Sequence, residues 1–237
     1  MTTPSHPGEE HDAGDLGDRS NKIRAAVLGA NDGIVSIAGM VLGVAGATPE
    51  TSAIATAGVA GLVAGALSMA VGEYVSVSSQ RDTEAAAVAM EIRELEEDPE
   101  GEFEELVGLF EARGLSRPTA ESVARELTEK DVLAAHSREE LGIEPGQYVN
   151  AWAAAVSSLI SFTIGAALPL IAILVFPTSI RIWVTVAAVV VALFITGYVS
   201  ARLAKAPIPK AIARNIGGGL IAMGVTYAIG HFIGTAI

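Results

Sequence analysis

The stretch Ile23–Ala47, IRAAVLGANDGIVSIAGMVLGVAGA, sets the architecture of this chain. Its only charges are Arg24 at the start and Asp32 near the middle, and Thr48-Pro49 closes it. A helix of about 20 apolar residues crosses the hydrocarbon core of a bilayer. Four further stretches qualify: from about Ser52 to Val77, Ala151 to Phe176, Ile180 to Leu203, and Ala211 to the C-terminus. The fold class expected is all-α, a five-span transmembrane bundle with a helical insert between spans two and three. Trp152 and Trp183 fall near span ends, where indoles favour the interface.

Four segments follow: a polar tail over 1–20, spans one and two over 21–80, an acidic helical insert over 81–148, and spans three to five over 149–237. The 237 residues have a net charge of −12. Residues 81–148 hold 19 of the 27 Asp and Glu and 7 of the 15 Lys and Arg, so the whole acidic excess belongs to the insert. Such a patch attracts cations and repels nucleic acid. No basic stripe with interleaved aromatics is present, so no nucleic-acid partner is expected. The absence of cysteine excludes disulfides, thiolate nucleophiles and Cys-based zinc or iron–sulfur sites. The tail, with Pro4, Pro7 and several Gly, lacks the pattern of a signal peptide and reads as disordered. His6, Glu9, Glu10, His11 and Asp12 offer at most a loose metal contact there.

Loop charges predict orientation. Arg19, Lys22 and Arg24 precede the first span, and Arg202, Lys205, Lys210 and Arg214 fill the connection between the fourth and fifth. The Ala47–Thr51 loop has no positive charge, and near the Phe176–Ser179 loop there is only Arg181. Positive loops stay in the cytoplasm, which places the N-terminus and the insert there. The pairs Gly29/Gly33, Gly39/Gly43, Gly61/Gly65 and Gly230/Gly234 let helices approach closely, within one protomer or at a homodimer seam.

The insert reads as helices. No Pro or Gly interrupts Gln80–Glu97, so the second span continues until Asp98-Pro99 stops it. Phe103, Leu106, Val107 and Phe110 form a helical stripe that Gly114 ends. Pro118 opens a helix with Val123, Ala124 and Leu127 inward, and Lys130–Leu141 forms another, capped by Gly142.

Two constellations carry chemistry. Asp32 lies inside the first span, and Met69 and Glu73 lie one turn apart on the second. A carboxylate at mid-membrane costs about 2.5–3.5 kcal/mol on insertion scales, and such residues usually line ion or proton paths. Carboxylate with thioether suits a transition ion better than Mg²⁺ or Ca²⁺. The plain alternative is a carboxylate snorkelling to the interface, which weighs most for Glu73. In the insert, Glu91/Glu94 and Glu102/Glu105 are three apart and His136/Glu140 four apart, spacings that put each pair on one helix face. Several carboxylates with one imidazole suit a borderline divalent ion. Against this stands the commonness of acidic surface helices.

The segment Arg24–Ser36, RAAVLGANDGIVS, and the segment Ala66–Val77, ALSMAVGEYVSV, resemble the signatures of the vacuolar iron transporter family. The likeness runs from about residue 20 through five spans and the insert. It implies no enzyme and no prosthetic group, but a homodimeric exporter of cytosolic Fe²⁺ driven by proton antiport. It implies translocation residues at Asp32 and Met69 and insert ligands at Glu91, Glu94, Glu102, Glu105 and Glu140. His136 stands where plant relatives carry a Met ligand. Mn²⁺, Co²⁺ and Zn²⁺ stay open as cargo. The membrane expected is a bacterial cell membrane, or a vacuole in a eukaryote. A membrane-anchored ferritin-like oxidase is the enzyme rival, but its Glu-x-x-His pairs are missing: three residues before His136 stands Leu133. A scaffold that recruits partners by charge is the other rival, and it would not need Asp32.

Overall fold

The computed structural model describes residues 13–146 and 148–236, and no strand occurs among them. Seven helices follow in order: α1 (Ala13–Ala47), α2 (Thr51–Glu97), α3 (Pro99–Ala112), α4 (Arg117–Glu139), α5 (Ala151–Val175), α6 (Arg181–Leu203) and α7 (Ile208–Ala236). Five of them, α1, α2, α5, α6 and α7, are long and apolar enough to cross a membrane. The chain divides into two compact units, Met1–Val75 with Ala151–Ile237, and Ser76–Asn150.

In the first unit α1 is the central helix and packs on α5, α6 and α7. Ile37, Ala38, Val41 and Leu42 are fully buried among Phe162, Ile173, Val189 and Leu193. Small residues make this contact possible. A Cβ on Gly33 would strike the backbone carbonyl of Phe162, and one on Gly230 would strike that of Gly43. All four glycine pairs face helices of the same chain, so their use is packing within the protomer. The outer surface is apolar: Val59, Val63, Leu67, Val71 and Val75 recur every four residues along α2 and are exposed. Such a stripe is a liability in water and the normal contact surface of a span in lipid.

Arg181 is buried at the start of α6. Its Nη2 donates to the Pro49 carbonyl at 2.9 Å and its Nη1 to Thr51 Oγ1 at 3.2 Å, which ties the α1–α2 connection to α6.

The expected disordered tail needs correction at its end. Residues 13–20 are the opening turns of α1. The last proline before the span is Pro7, and extending a formed helix fixes one residue per hydrogen bond without a new nucleus. Residues 1–12, with His6, Glu9, Glu10, His11 and Asp12, lie outside the described residues.

The second unit follows from its caps. Asp98 ends α2 and N-caps α3, its Oδ1 accepting from the Gly101 N–H at 2.9 Å, with Pro99 in the first turn. Gly114 has φ +96°, the left-handed geometry that stops a helix. The helix α4 is broken at Asp131 (φ −168°, ψ 98°). Asp131 Oδ1 accepts from the Ala134 N–H at 2.9 Å and so caps a fresh segment carrying His136. The two helices expected either side of residue 130 are thus both present within α4, meeting at this re-capped break. Leu106, Val107 and Phe110 pack on Ala120, Ala124 and Ala135. Arg117 adds a surface clamp, to Glu104 at 2.6 Å and Glu121 at 3.0 Å. Leu106 is fully buried, so Leu106→Ala should cost about 2–5 kcal/mol. Thermal unfolding followed by circular dichroism should show this as a lower transition.

Candidate metal sites

The break at Asp131 and the stop at Asp98 turn three helices toward one another within the second unit. Glu91 comes from α2, Glu102 from α3, His136 from α4 and Glu140 from its C-cap. One ligand atom of each lies within 4.8 Å of the others. His136 Nδ1 sits 3.0 Å from Glu91 Oε1, 3.6 Å from Glu102 Oε2 and 4.0 Å from Glu140 Oε2. Glu91 and His136 are 2% and 0% exposed.

The polar accounting in this pocket does not close by itself. Despite the 3.0 Å approach, Glu91 Oε1 and both ring nitrogens of His136 are buried without a hydrogen-bond partner. An unpaired buried donor or acceptor costs about 1–3 kcal/mol. A divalent cation among these atoms would satisfy them together and offset the repulsion of the carboxylates.

The electrostatics agree. Burial and then the nearby Glu140, Glu102 and Glu94 push Glu91 up to about 7. Glu102 and Glu140 are also raised, by burial first and by Glu105 next. Burial lowers His136, which favours the neutral, metal-binding imidazole. Glu94 and Glu105 thus stand outside the four-residue group and act on it through their charge.

A pH dependence follows. Glu91, raised in the folded state, contributes stability that is full below its unfolded value near 4.5 and lost as pH climbs through about 7. Glu102 and Glu140 act in the same sense, while His136, lowered, costs stability only in acid. Metal-free protein should therefore melt at lower temperature at pH 8 than at pH 6.5. Added Mn²⁺ should restore more stability at pH 8, as read by a thermal shift series.

In the membrane unit, Asp32 and Met69 are half-buried, as is Glu73. Asp32 Oδ1 accepts from Ser36 Oγ at 2.6 Å. One position earlier, Asn31 Oδ1 accepts from Thr196 Oγ1 of α6 at 3.3 Å. A Cβ on Gly61 would meet Met40 and Ile37, and one on Gly58 would meet Val41, which fixes how α1 and α2 run past each other. Eight residues back from Met40 is Asp32, and eight on from Gly61 is Met69. With the Ile37 and Val41 contacts included, Asp32 lies level with residues 66–69 of α2. Met69 also packs on the main core. Glu73 is one turn further along α2. Ser36 stands four residues from Asp32, the spacing that allows a bond along one helix face.

The chain matches the model of the VIT family over residues 23–231. It belongs to the VIT family. Among curated relatives, "Vacuolar iron transporter" of Acanthamoeba castellanii is 40% identical over 231 residues, covering 96% of this chain and 84% of that protein. "Vacuolar iron transporter homolog 2.1" of Arabidopsis thaliana is 33% identical, covering 98% and 90%. "Vacuolar iron transporter homolog 5" of Oryza sativa subsp. japonica is 37% identical, covering 94% and 86%. The match takes in the helices that carry Asp32 and Met69 and the insert that carries Glu91, Glu102, His136 and Glu140 of this VIT-family chain.

Proposed function

We propose that this VIT-family protein is a transporter that moves Fe²⁺ out of the cytosol across a membrane, with protons returning in exchange. The observation that carries the reading is the group Glu91, Glu102, His136 and Glu140, in which the buried, unpaired atoms of Glu91 and His136 ask for a cation, on a chain with five apolar helices. The relatives' names add iron as the cargo. A donor set of three carboxylates and one imidazole accepts Fe²⁺, Mn²⁺, Co²⁺ or Zn²⁺, and hard Mg²⁺ less well.

The mechanism follows from what each residue can hold. The insert, which carries the whole acidic excess of the chain, concentrates divalent ions from the cytosol. Its four-residue group binds one ion as Glu91 gives up its proton. In the bundle, Asp32 supplies a charged oxygen and Met69 a thioether at the same depth, with Glu73 one turn away. Each carboxylate alternates between ion-bound and protonated forms, so no bare charge is left in the hydrocarbon. Protonation of Asp32 or Glu73 from the far side displaces the ion and resets the carrier. The N-terminus and insert face the cytoplasm by the loop charges. The working form is a homodimer in a bacterial cell membrane, or in a vacuolar membrane if the source is eukaryotic.

The oxidase rival gains nothing from the geometry, since the four ligands gather around one point and include one histidine. Anaerobic calorimetric titration of the full chain with Fe²⁺ tests the capture step. Tight binding that weakens strongly in a Glu102→Gln/Glu105→Gln double variant is expected. Unchanged binding in that variant would make these pairs surface decoration.

A further inference from the structure

The connection from α6 to α7 and the helix ends beside it hold Arg202, Lys205, Lys210 and Arg214, all exposed. No Asp or Glu follows Glu144 in the chain. None of the four cations has an ion-pair partner among the described residues. Arg202 is fixed at the end of its span: its Nε donates to Tyr198 Oη at 3.1 Å, and its guanidinium lies 5.4 Å from the centre of that ring. A tyrosine at a span end marks the headgroup level. Lys205 has φ +50°, the left-handed position after a helix that glycine usually takes. The Ala206 N–H donates to the Ala201 carbonyl at 2.9 Å and closes α6 there. Only residues 204–207 separate α6 from α7, so the connection stays at the membrane surface. Lys210 stands in the first turn of α7, where the helix dipole disfavours a cation. Arg214 is one turn further, about 6 Å along the axis, which is within a Debye length of about 8 Å.

We propose that this four-cation patch is a docking surface for the phosphate-bearing headgroups of anionic lipids in the leaflet it faces. The inference depends on the spans and not on which ion is carried. Two of the placements are poor for the fold taken alone: a lysine in a glycine geometry, and a cation at the start of a helix. Lipid phosphates beside the patch offset both, and they supply the negative charge that α5, α6 and α7 lack. Orientation of the bundle asks only for positive charge on one side. Any exposed position would serve for that, so orientation does not account for Lys205 where glycine fits. Free phosphate carries the same chemistry, but the Tyr198–Arg202 pair holds the patch at the boundary, where headgroup phosphates are concentrated. Basic clusters next to a span attract anionic lipid, and each Lys or Arg near the surface raises the preference by up to about fivefold.

The test places the full chain in phosphatidylcholine vesicles carrying a trace of spin-labelled phosphatidylglycerol or spin-labelled phosphatidylcholine. Electron spin resonance reads the share of each label that the protein immobilises. The wild type should hold phosphatidylglycerol several-fold more than phosphatidylcholine, and added NaCl should reduce the excess. In a Lys205→Gln/Lys210→Gln/Arg214→Gln variant the two labels should become nearly equal. Lys205→Gly guards against a folding artefact. Glycine is at ease at φ +50°, so this variant should melt at the same temperature or higher while its phosphatidylglycerol excess falls by up to about fivefold. An undiminished excess in either variant would overturn the proposal. Loss of the wild-type excess to inorganic phosphate at constant ionic strength would show that the cations read free phosphate, and would overturn the lipid assignment.

Discussion

Asp32→Ala should reduce Fe²⁺ uptake into proteoliposomes to the level of protein-free vesicles. The expectation comes from where the carboxylate sits. It lies inside the first span, half-buried, with Ser36 as its hydrogen-bond donor. Holding a carboxylate there costs at least about 2.5–3.5 kcal/mol on insertion scales, a cost that a purely structural position would avoid with Ala. Asp32→Asn keeps an acceptor for Ser36 but removes the charge, and should lose flux equally. Both variants should retain ion binding by the insert, because Glu91, Glu102, His136 and Glu140 belong to the other compact unit. Flux surviving in Asp32→Asn would mean that polarity, not charge, is what this position supplies.

Glu91→Gln should have opposite effects on binding and on stability. Glu91 is 2% exposed and faces His136 at 3.0 Å, so on the proposed reading it holds a position in the ion's shell that solvent cannot take over. Even partners one shell removed from a metal cost about 10–100-fold in affinity when lost, and loss of Glu91 should reach at least the upper part of that range. The metal-free protein should meanwhile become more stable above pH 7. A group raised from 4.5 to about 7 pays on the order of 3 kcal/mol when it ionises in the folded state. The amide carries no charge and removes that penalty. Calorimetry should therefore show weaker Fe²⁺ binding, and a melting series at pH 8 without metal should show a higher transition than the wild type. A variant that loses both affinity and stability would identify Glu91 as a packing residue.

The five spans were legible because hydrocarbon solvent demands long apolar helices, a constraint written directly into composition. The break between α2 and α3 was legible for a similar reason: Asp98-Pro99 has a single local meaning. The insert pairs were visible as spacings, but spacing cannot tell a converging pair from a solvated one. The fold decides that Glu91, Glu102, His136 and Glu140 meet while Glu94 and Glu105 contribute charge from outside the group. The re-capping at Asp131 that carries His136 inward depends on a backbone conformation, φ −168° and ψ 98°, that no residue type compels. The first turns of α1 were misread as tail because their composition is polar, whereas helix continuity from the span carries through them.

The most direct measurement is uptake of Fe²⁺ by wild-type protein in sealed vesicles carrying a pH indicator inside, with and without an imposed proton gradient. Ion accumulation in the lumen with simultaneous alkalinisation, accelerated by an acidic interior, is the predicted result. Fe²⁺ bound by the protein but never delivered to the lumen would contradict the account at its centre.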